Sequence, residues 1–371
     1  MTQKRKASEG TSKNQVVKKS RASTTSKATS TTAAQQEAKL RRAKENALAN
    51  RNAAVPTTTQ SVQMAMDQSD VEMQEDISMC EAIEDIDIDD FGMPHFASEY
   101  VKDIFEYLKQ KEIEDQPRAD YLLQHEEINE AMRAILINWL FDVHMEFKTL
   151  PESMFLSVSI LDRYLQNNFP QREQLQLVGM TAMFIACKYE ETIAPSVEDF
   201  VYIADDMYTV DQVLDLEAEM LKSIDWNLAV STPLHFLRRF SKAGRSDSRI
   251  HTLCKYFVEL TMSEYSMVSF LPSLIAASSV YIARKMIVKT PFWNATLAHY
   301  TGYSEDDLRA CAKSIIYLLK KEALRDLKSK EDGGATSVRP ATRKYTSSRF
   351  FSIAPVALER VRRNMNTNKT S

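Results

Sequence analysis

Glycine is scarce in this chain, and so are uninterrupted apolar runs. Only seven of the 371 residues are glycine, and just Gly179, Gly244 and Gly302 lie between residues 95 and 325. Sheet proteins and phosphate-binding loops use glycine for tight turns and close backbone approach, so we expect an all-α body. No segment approaches the roughly 18 apolar residues of a membrane span, and the N-terminus lacks the apolar core of a secretory signal.

Cysteines and catalytic motifs are also sparse. The four cysteines, Cys80, Cys187, Cys254 and Cys311, are widely spaced, and three lie in apolar, helix-like runs. This pattern is typical of reduced thiols in an intracellular protein. The sequence contains no G-x-x-x-x-G-K, G-x-S-x-G or H-E-x-x-H segment. His251 and Cys254 share a helical face, but two ligands do not make a zinc site. We therefore expect no catalytic residues, no cofactor and no metal.

Charge is segregated along the chain. Residues 1–65 carry 13 Lys/Arg against 3 Glu, and residues 66–92 carry 11 Asp/Glu and no basic residue. Both segments have low apolar content, so residues 1–92 are expected to form a disordered regulatory tail. Residues 93–325 carry 24 basic against 33 acidic residues. Nucleic-acid affinity depends largely on Lys and Arg, so this acidic body is not expected to bind nucleic acid.

Helical periodicity begins near residue 97, and the second half of the body repeats the first. Further helices are expected at about 130–145, 152–167, 173–190, 196–205 and 210–224. Residues 177–189 align without gaps on 274–286, and residues 208–213 align on 303–308. Thr209 and Ser304, at matching positions, are both N-cap residue types. The sequence predicts two tandem helical domains, at 93–230 and 231–330, followed by a C-terminal extension at 331–371.

One predicted helix is apolar on nearly all sides. Between Met132 and Val143 only Arg133, Asn138 and Asp142 are strongly polar. Such a helix lies at the centre of a core, contacts a partner, or both. A buried, unpaired arginine would cost several kcal/mol. The candidate partner of Arg133 is Asp162, which lies in the next apolar run.

Several segments of the body resemble the cyclin family. MRAILINWL, LDRYL, LQLVG, FIACKYEE and EDFVYI follow in cyclin-box order and spacing, and PLHFLRR and LAHYTGY resemble B-type cyclins. The resemblance covers about residues 95–350 and implies two five-helix cyclin boxes. The chain departs from the usual pattern at Asn138, at Asp142 and at residues 193–195.

By this resemblance the chain is a regulatory subunit of the nucleus and cytoplasm and not an enzyme. It would bind and activate a mitotic cyclin-dependent serine/threonine kinase and help to recruit its substrates, controlling the G2/M transition. A transcription-type cyclin or transcription-factor-like double box, and a scaffold unrelated to kinases, remain as alternatives. The first is disfavoured by the acidic body and the second by the series of motifs.

The resemblance also implies two contact surfaces. The kinase would contact Tyr100, Ile104, Tyr107, Lys188, Glu217 and Trp226. Substrates and inhibitors with Arg-x-Leu segments would dock on Met132, Ile135, Leu136, Trp139, Asp142, Leu175 and Gln176. From spacing alone, a Met132, Leu136 and Trp139 stripe is more typical of a core, and Lys188 and Glu217 are ordinary solvated charges or an intramolecular pair.

Three further signals are expected. Arg238, His251 and Lys255 resemble positions that bind phosphorylated partners in B-type cyclins, although a solvated basic face explains them equally well. Lys44, Glu45 and Asn46 form a KEN triplet, which resembles a recognition box for a ubiquitin ligase of mitosis. A bipartite nuclear import signal is predicted at Lys4, Arg5, Lys18, Lys19 and Arg21, although a generic basic disordered tail explains these residues equally well.

Overall fold

The structure, a computed structural model, describes residues 82–288, 291–331 and 338–370. Within these ranges the chain forms α-helices and short 3-10 turns and no β-strand. The helices are α1 Val101–Glu114, α2 Glu130–Phe147, α3 Pro151–Asn167, α4 Leu175–Glu190, α5 Val197–Ile203, α6 Val210–Ser223, α7 Pro233–Ala243, α8 Ser248–Thr261, α9 Pro272–Ile287, α10 Ala295–Thr301, α11 Glu305–Glu331, α12 Pro340–Lys344 and α13 Ile353–Thr370. The prediction of an all-α body is confirmed for the described residues.

Helices α2–α6 and α7–α11 form two five-helix units, which we call the first and second box. In the first box, α4 packs against α2, α3 and α6 and buries most of its side chains. Gly179 of α4 permits a close approach to α2, because an added Cβ would lie 2.7 Å from a methyl carbon of Leu136. In the second box, α9 takes the same place and packs against α7, α8 and α11.

The internal repeat predicted from the sequence is present in the helix positions. Helix α4 spans 16 residues from Leu175, and α9 spans 16 residues from Pro272. The two predicted N-caps are confirmed. Thr209 Oγ1 accepts a hydrogen bond from the Gln212 amide at 3.2 Å, and Ser304 Oγ accepts one from the Asp307 amide at 3.4 Å. Local sequence therefore sets the starts of the equivalent helices α6 and α11.

Helix α1 lies against the second box. Buried Glu112 accepts hydrogen bonds from the amide and the hydroxyl of Ser273 at 2.8 and 2.7 Å. Lys109 Nζ donates to the Thr301 carbonyl at 3.1 Å. Burial raises the pKa of Glu112, although the bonds from Ser273 act in the opposite direction. These contacts fix the C-terminal half of α1 on α9 and α10.

Of the two C-terminal helices, α12 packs on both boxes and α13 packs on the second box. Helix α12 contacts α2 and α8, and α13 contacts α8 and α11. Buried Glu259 of α8 accepts a hydrogen bond from Tyr345 Oη at 2.7 Å and pairs with Lys344 Nζ at 2.7 Å. The chain after residue 338 is therefore tied to the core by buried polar contacts.

The segment 82–92 differs from the sequence prediction. We predicted a disordered tail up to residue 92, but residues 84–90 lie against α7 and α10 and pair with basic side chains there. Asp87 makes a two-bond contact with Arg239, and Ile86 packs against the core. Low apolar content indicated disorder for this segment. Its acidic side chains are instead paired with basic residues about 150 positions further along the chain, which composition does not reveal.

Candidate functional site

The residues predicted to contact a kinase expose large apolar side chains. On α1 and at its start, Tyr100, Ile104 and Tyr107 are 63%, 42% and 55% exposed, and Trp226 is 65% exposed. Asn227 Nδ2 donates to Asp115 Oδ1 at 2.7 Å, which ties the end of α1 to the turn that carries Trp226. Exposed aromatic side chains of this kind are typical of a protein interaction surface.

The backbone conformation at Trp226 places its side chain at the surface. Asp225 and Trp226 both have positive φ angles, 53° and 57°, directly after α6 ends. The Trp226 amide bonds back to the Leu221 carbonyl at 2.9 Å, which closes the turn. A bulky residue rarely adopts this conformation, so the turn places the indole at the surface at a local conformational cost.

Lys188 and Glu217 form an ion pair between α4 and α6. The Lys188 side chain is 41% exposed and that of Glu217 only 13%. Lys188 Nζ also lies 4.2 Å from the centre of the Phe184 ring. The intramolecular pair considered from the sequence is thus present, and it is accessible from solvent. To bind a partner, Lys188 and Glu217 would have to form hydrogen bonds with it while still paired, or separate from each other.

Arg133 and Asp162 form a buried ion pair in the core of the first box. Arg133 Nε and Nη2 donate to the two carboxylate oxygens of Asp162 at 2.8 and 2.7 Å. Tyr121 Oη donates to Asp162 Oδ1 at 2.7 Å, and Arg133 Nη1 donates to the Met262 carbonyl at 3.1 Å. Because Met262 follows α8, the guanidinium also joins the first box to the second.

The stripe predicted to dock substrates is only partly exposed. Leu136 and Leu175 are buried, each 5% exposed, and Met132 and Trp139 are half-buried against the core. Ile135 is 69% exposed, and Gln176 is partly exposed. The stripe is therefore a shallow apolar strip with one projecting side chain.

The acidic end of this strip has an intramolecular partner that the sequence did not indicate. Asp142 pairs with Arg343 of α12, 201 residues further along the chain. Their side chains are 49% and 42% exposed. Only the three-dimensional packing of α12 on α2 brings the two together.

Arg238, His251 and Lys255 lie close to one another on α7 and α8. Burial and the charges of Lys255 and Arg238 lower the pKa of His251. Burial lowers the pKa of Lys255 as well, partly offset by Glu259. Arg238 pairs with Glu152, and His251 Nδ1 lies 2.9 Å from Ser241 Oγ. The three basic groups therefore have carboxylates beside them, since Glu152 pairs with Arg238 and the charge of Glu259 acts on Lys255.

Several features bear on catalysis and on metal or membrane binding. Among the described residues, no group of three or more His, Cys, Asp or Glu side chains is arranged to hold a metal ion. Burial raises the pKa of Cys187 to about 12 and that of Cys311 to about 11, which disfavours their thiolates. No helix in the described ranges is long and apolar enough to span a membrane. The KEN triplet and the predicted import signal lie outside the described residues.

Comparisons with known proteins agree with this architecture. Residues 103–229 match the family "Cyclin, N-terminal domain", and residues 231–357 match "Cyclin, C-terminal domain". The second match continues past residue 330, where we predicted a C-terminal extension to begin; our boundaries stay predictions. A viral cyclin of herpesvirus saimiri has a similar fold, with a TM-score of 0.52 and 19% identity, over 58% of this chain and 97% of the viral chain.

Curated relatives share much more sequence. A G2/mitotic-specific cyclin-B of Dictyostelium discoideum is 44% identical over 281 residues, which are 76% of this chain and 62% of that protein. A G2/mitotic-specific cyclin-B2 of Gallus gallus is 40% identical over 309 residues, 81% of this chain and 74% of that protein. The chain thus spans a little under two thirds of the first relative and about three quarters of the second. It belongs to the cyclin family, among the G2/mitotic-specific B-type cyclins, and is a regulatory rather than a catalytic protein.

Proposed function

We propose that this chain binds and activates a mitotic cyclin-dependent serine/threonine kinase and thereby controls the G2/M transition. The observations that support the proposal are the exposure of the side chains of Tyr100, Ile104, Tyr107 and Trp226 and the solvent-accessible Lys188–Glu217 pair. Polar anchors surrounded by aromatic side chains are a common form of interface hot spot. A rigid surface that binds only the active arrangement of a kinase shifts its population toward activity.

The test removes both polar anchors together. Lys188→Ala with Glu217→Ala leaves no unpaired charge, so circular dichroism and the unfolding midpoint should be unchanged. In the complex these anchors become desolvated, and their loss should weaken kinase binding by at least about 2 kcal/mol, or roughly thirtyfold in Kd. Titration calorimetry and a histone-kinase assay measure the two effects.

A matched control is the exposed pair Arg309–Asp306 of α11, whose side chains are 70% and 76% exposed. Replacing both residues by alanine should change neither binding nor kinase activity. A folded Lys188→Ala, Glu217→Ala variant that still gives full affinity and activity would refute the assignment of this surface.

We propose that the strip on α2 docks Arg-x-Leu segments, with Asp142 receiving the arginine. In the free chain Arg343 already pairs with Asp142, so an incoming arginine has to replace it. Because an exposed pair contributes only about 0.2–1 kcal/mol, Arg343→Ala should tighten peptide binding by no more than about fivefold. Asp142→Asn should weaken it.

The apolar part of the strip requires a separate test. Met132→Ala with Trp139→Ala should weaken phosphorylation of substrates that carry an Arg-x-Leu segment, while kinase association stays intact. Both side chains pack on the core, so unfolding is measured alongside. Equal losses of docking and kinase binding would show that the strip is only structural.

We propose that the Arg238, His251 and Lys255 cluster binds a phosphorylated partner segment. The support is the position of the three basic residues on the neighbouring helices α7 and α8, where burial and then the charges of Lys255 and Arg238 lower the pKa of His251. A bound phosphate would compete with Glu152 for Arg238. Fluorescence titration with a phosphopeptide and with its unphosphorylated form tests the site; unchanged binding to the triple alanine variant would contradict it.

Two proposals concern the N-terminal tail. Residues 44–46 are proposed as a degron for the ubiquitin-ligase machinery of mitosis, and replacing all three by alanine should delay degradation at mitotic exit. The basic groups within residues 1–30 are proposed to direct nuclear import, which would distribute the protein between nucleus and cytoplasm. Fusing 1–30 to a cytoplasmic reporter tests the signal, and continued exclusion of the reporter from the nucleus would reject it.

A further inference from the structure

The acidic segment 84–90 lies along a basic face of the second box in a regular register. Glu84 pairs with Arg245 at 2.8 Å, Asp87 pairs with Arg239 at 2.8 Å, and Asp90 pairs with Lys242. Every third residue of the segment thus faces a cation of α7 or of the residues directly after it, and Asp87 also lies 3.5 Å from Lys242 Nζ. Asp89, between two of them, is exposed and takes no part in these three pairs.

The centre of this contact is a built carboxylate site. Arg239 donates from Nη1 and Nη2 to the two oxygens of Asp87 at 3.0 and 2.8 Å, and only 7% of its side chain is exposed. Its guanidinium lies between two aromatic rings, 5.0 Å from the centre of Phe105 and 5.1 Å from that of Tyr300. When aromatic rings cover the faces of a guanidinium, its N–H groups remain available along the edge. Two parallel N–H groups can then donate to the two oxygens of one carboxylate.

The backbone of the segment is held as well. The Glu84 amide donates to Thr296 Oγ1 at 3.1 Å, and the Ile86 amide donates to Tyr300 Oη at 3.2 Å. Thr296 and Tyr300 belong to α10. The second box therefore recognises the segment through its backbone on α10 and its carboxylates on α7.

The same site touches the helix that carries the predicted kinase contacts. Phe105, one of the two rings around Arg239, belongs to α1, and it also packs on Phe236 of α7 at 6.1 Å between ring centres. Glu112 fixes the other end of α1 on Ser273. The exposed side chains of Tyr100, Ile104 and Tyr107 lie at the start and in the first half of α1, near Phe105. Arg239 is the buried cation that contacts this half of the helix through Phe105.

We propose that the face formed by Arg239, Lys242 and Arg245 is a binding site for this acidic segment of the same chain, and that Asp87 and Arg239 are positioning residues that hold the first half of α1 for the kinase. The positioning step rests on the proposed function; the binding of the segment does not. Neither residue touches the kinase in this proposal. Together they form a latch between segment 84–90, α1 and the second box.

The test uses the full chain and compares Asp87→Asn with Asp89→Asn. Both variants remove one negative charge with almost no change in size, but only the first removes the charged partner of Arg239. Hydrogen exchange of the α1 amides, read in the free protein, reports on the latch without any kinase. We expect exchange in residues 101–108 to rise at least tenfold in Asp87→Asn and to stay at the wild-type rate in Asp89→Asn.

Kinase affinity, measured by calorimetry, reports on the positioning step. Asp87→Asn should weaken binding about tenfold while Asp87→Glu, which keeps the carboxylate, should stay within about threefold of wild type. Equal α1 exchange in Asp87→Asn and Asp89→Asn would overturn the latch. Faster α1 exchange with unchanged kinase affinity would overturn the positioning role. Failure of the wild-type chain to bind any mitotic kinase would instead reject the proposed function, and the exchange result would still decide the latch.

Discussion

Breaking the Arg133–Asp162 pair from one side should destabilise the protein strongly. Asp162→Asn keeps the size of the side chain but leaves a guanidinium that is only 2% exposed without its counter-charge. An uncompensated charge of this kind costs about 3–5 kcal/mol. We expect the free energy of unfolding to fall by an amount near the middle of this range of about 3–5 kcal/mol. Because domains are stable by only about 5–15 kcal/mol in total, the urea midpoint should fall clearly.

Removing both charges should cost less than removing one. In Arg133→Met with Asp162→Leu no charge remains buried, but the Met262 carbonyl and the Tyr121 hydroxyl lose partners. An unsatisfied buried polar group costs about 1–3 kcal/mol, so the double variant should be more stable than Asp162→Asn alone. The double-mutant cycle formed with the single variants Arg133→Met and Asp162→Leu should show a favourable coupling of about 1–3 kcal/mol.

The assay is equilibrium urea unfolding followed by circular dichroism and tryptophan fluorescence. Because Arg133 also bonds to Met262 after α8, the two boxes should lose stability together in Asp162→Asn, and the two probes should report one transition. Arg309→Ala with Asp306→Ala serves as the control, since an exposed pair contributes under about 1 kcal/mol. A loss below about 1 kcal/mol in Asp162→Asn would refute the reasoning, because it would match the cost of an exposed pair.

The fold was predictable because its main signals are local and repeated. Helix α2 was expected at about 130–145 and spans Glu130–Phe147, and α6 was expected at 210–224 and spans Val210–Ser223. These boundaries follow from apolar periodicity and from cap residues such as Thr209, which act within one turn. The internal repeat also indicated the arrangement of the whole body, because segments with matching sequences are expected to adopt the same fold in both boxes.

The sequence indicated two of the polar pairs: Arg133–Asp162, and Lys188–Glu217 as one of the alternatives for those two charges. Asp162 was identified as the partner of Arg133 because a buried charge requires an acceptor, and the neighbouring apolar run offered one. The Asp142–Arg343 and Asp87–Arg239 pairs join residues 201 and 152 positions apart. The exposed Asp142 and Arg343 carry no such requirement, since water satisfies them in any sequence context. Arg239 is buried, but its acceptor lies on a segment that is remote in sequence. Their partners follow from the packing of α12 on α2 and of segment 84–90 on α7, which no local pattern encodes.

Two further predictions concern the packing of the core and the dependence of stability on pH. Gly179→Ala should lower the free energy of unfolding by about 1–2 kcal/mol, because overpacking against Leu136 outweighs the helix-propensity gain; a stabilised variant in urea unfolding would contradict the close approach of α4 to α2. For His144, burial first and then the charges of Lys344 and Lys255 lower the pKa to about 3 in the folded protein. The unfolded chain protonates this imidazole near pH 6.5, so the unfolded state binds more protons between these two values. The stabilising contribution of the neutral ring is therefore complete above about pH 6.5 and is lost progressively as the pH falls, by up to about 2 kcal/mol at pH 5. Urea unfolding at pH 7 and pH 5 measures the loss, and His144→Gln should reduce it by that amount because glutamine does not titrate. If wild type and His144→Gln lose the same stability between pH 7 and pH 5, the imidazole is charged in the folded protein, and the buried, cation-flanked position assigned to it is wrong.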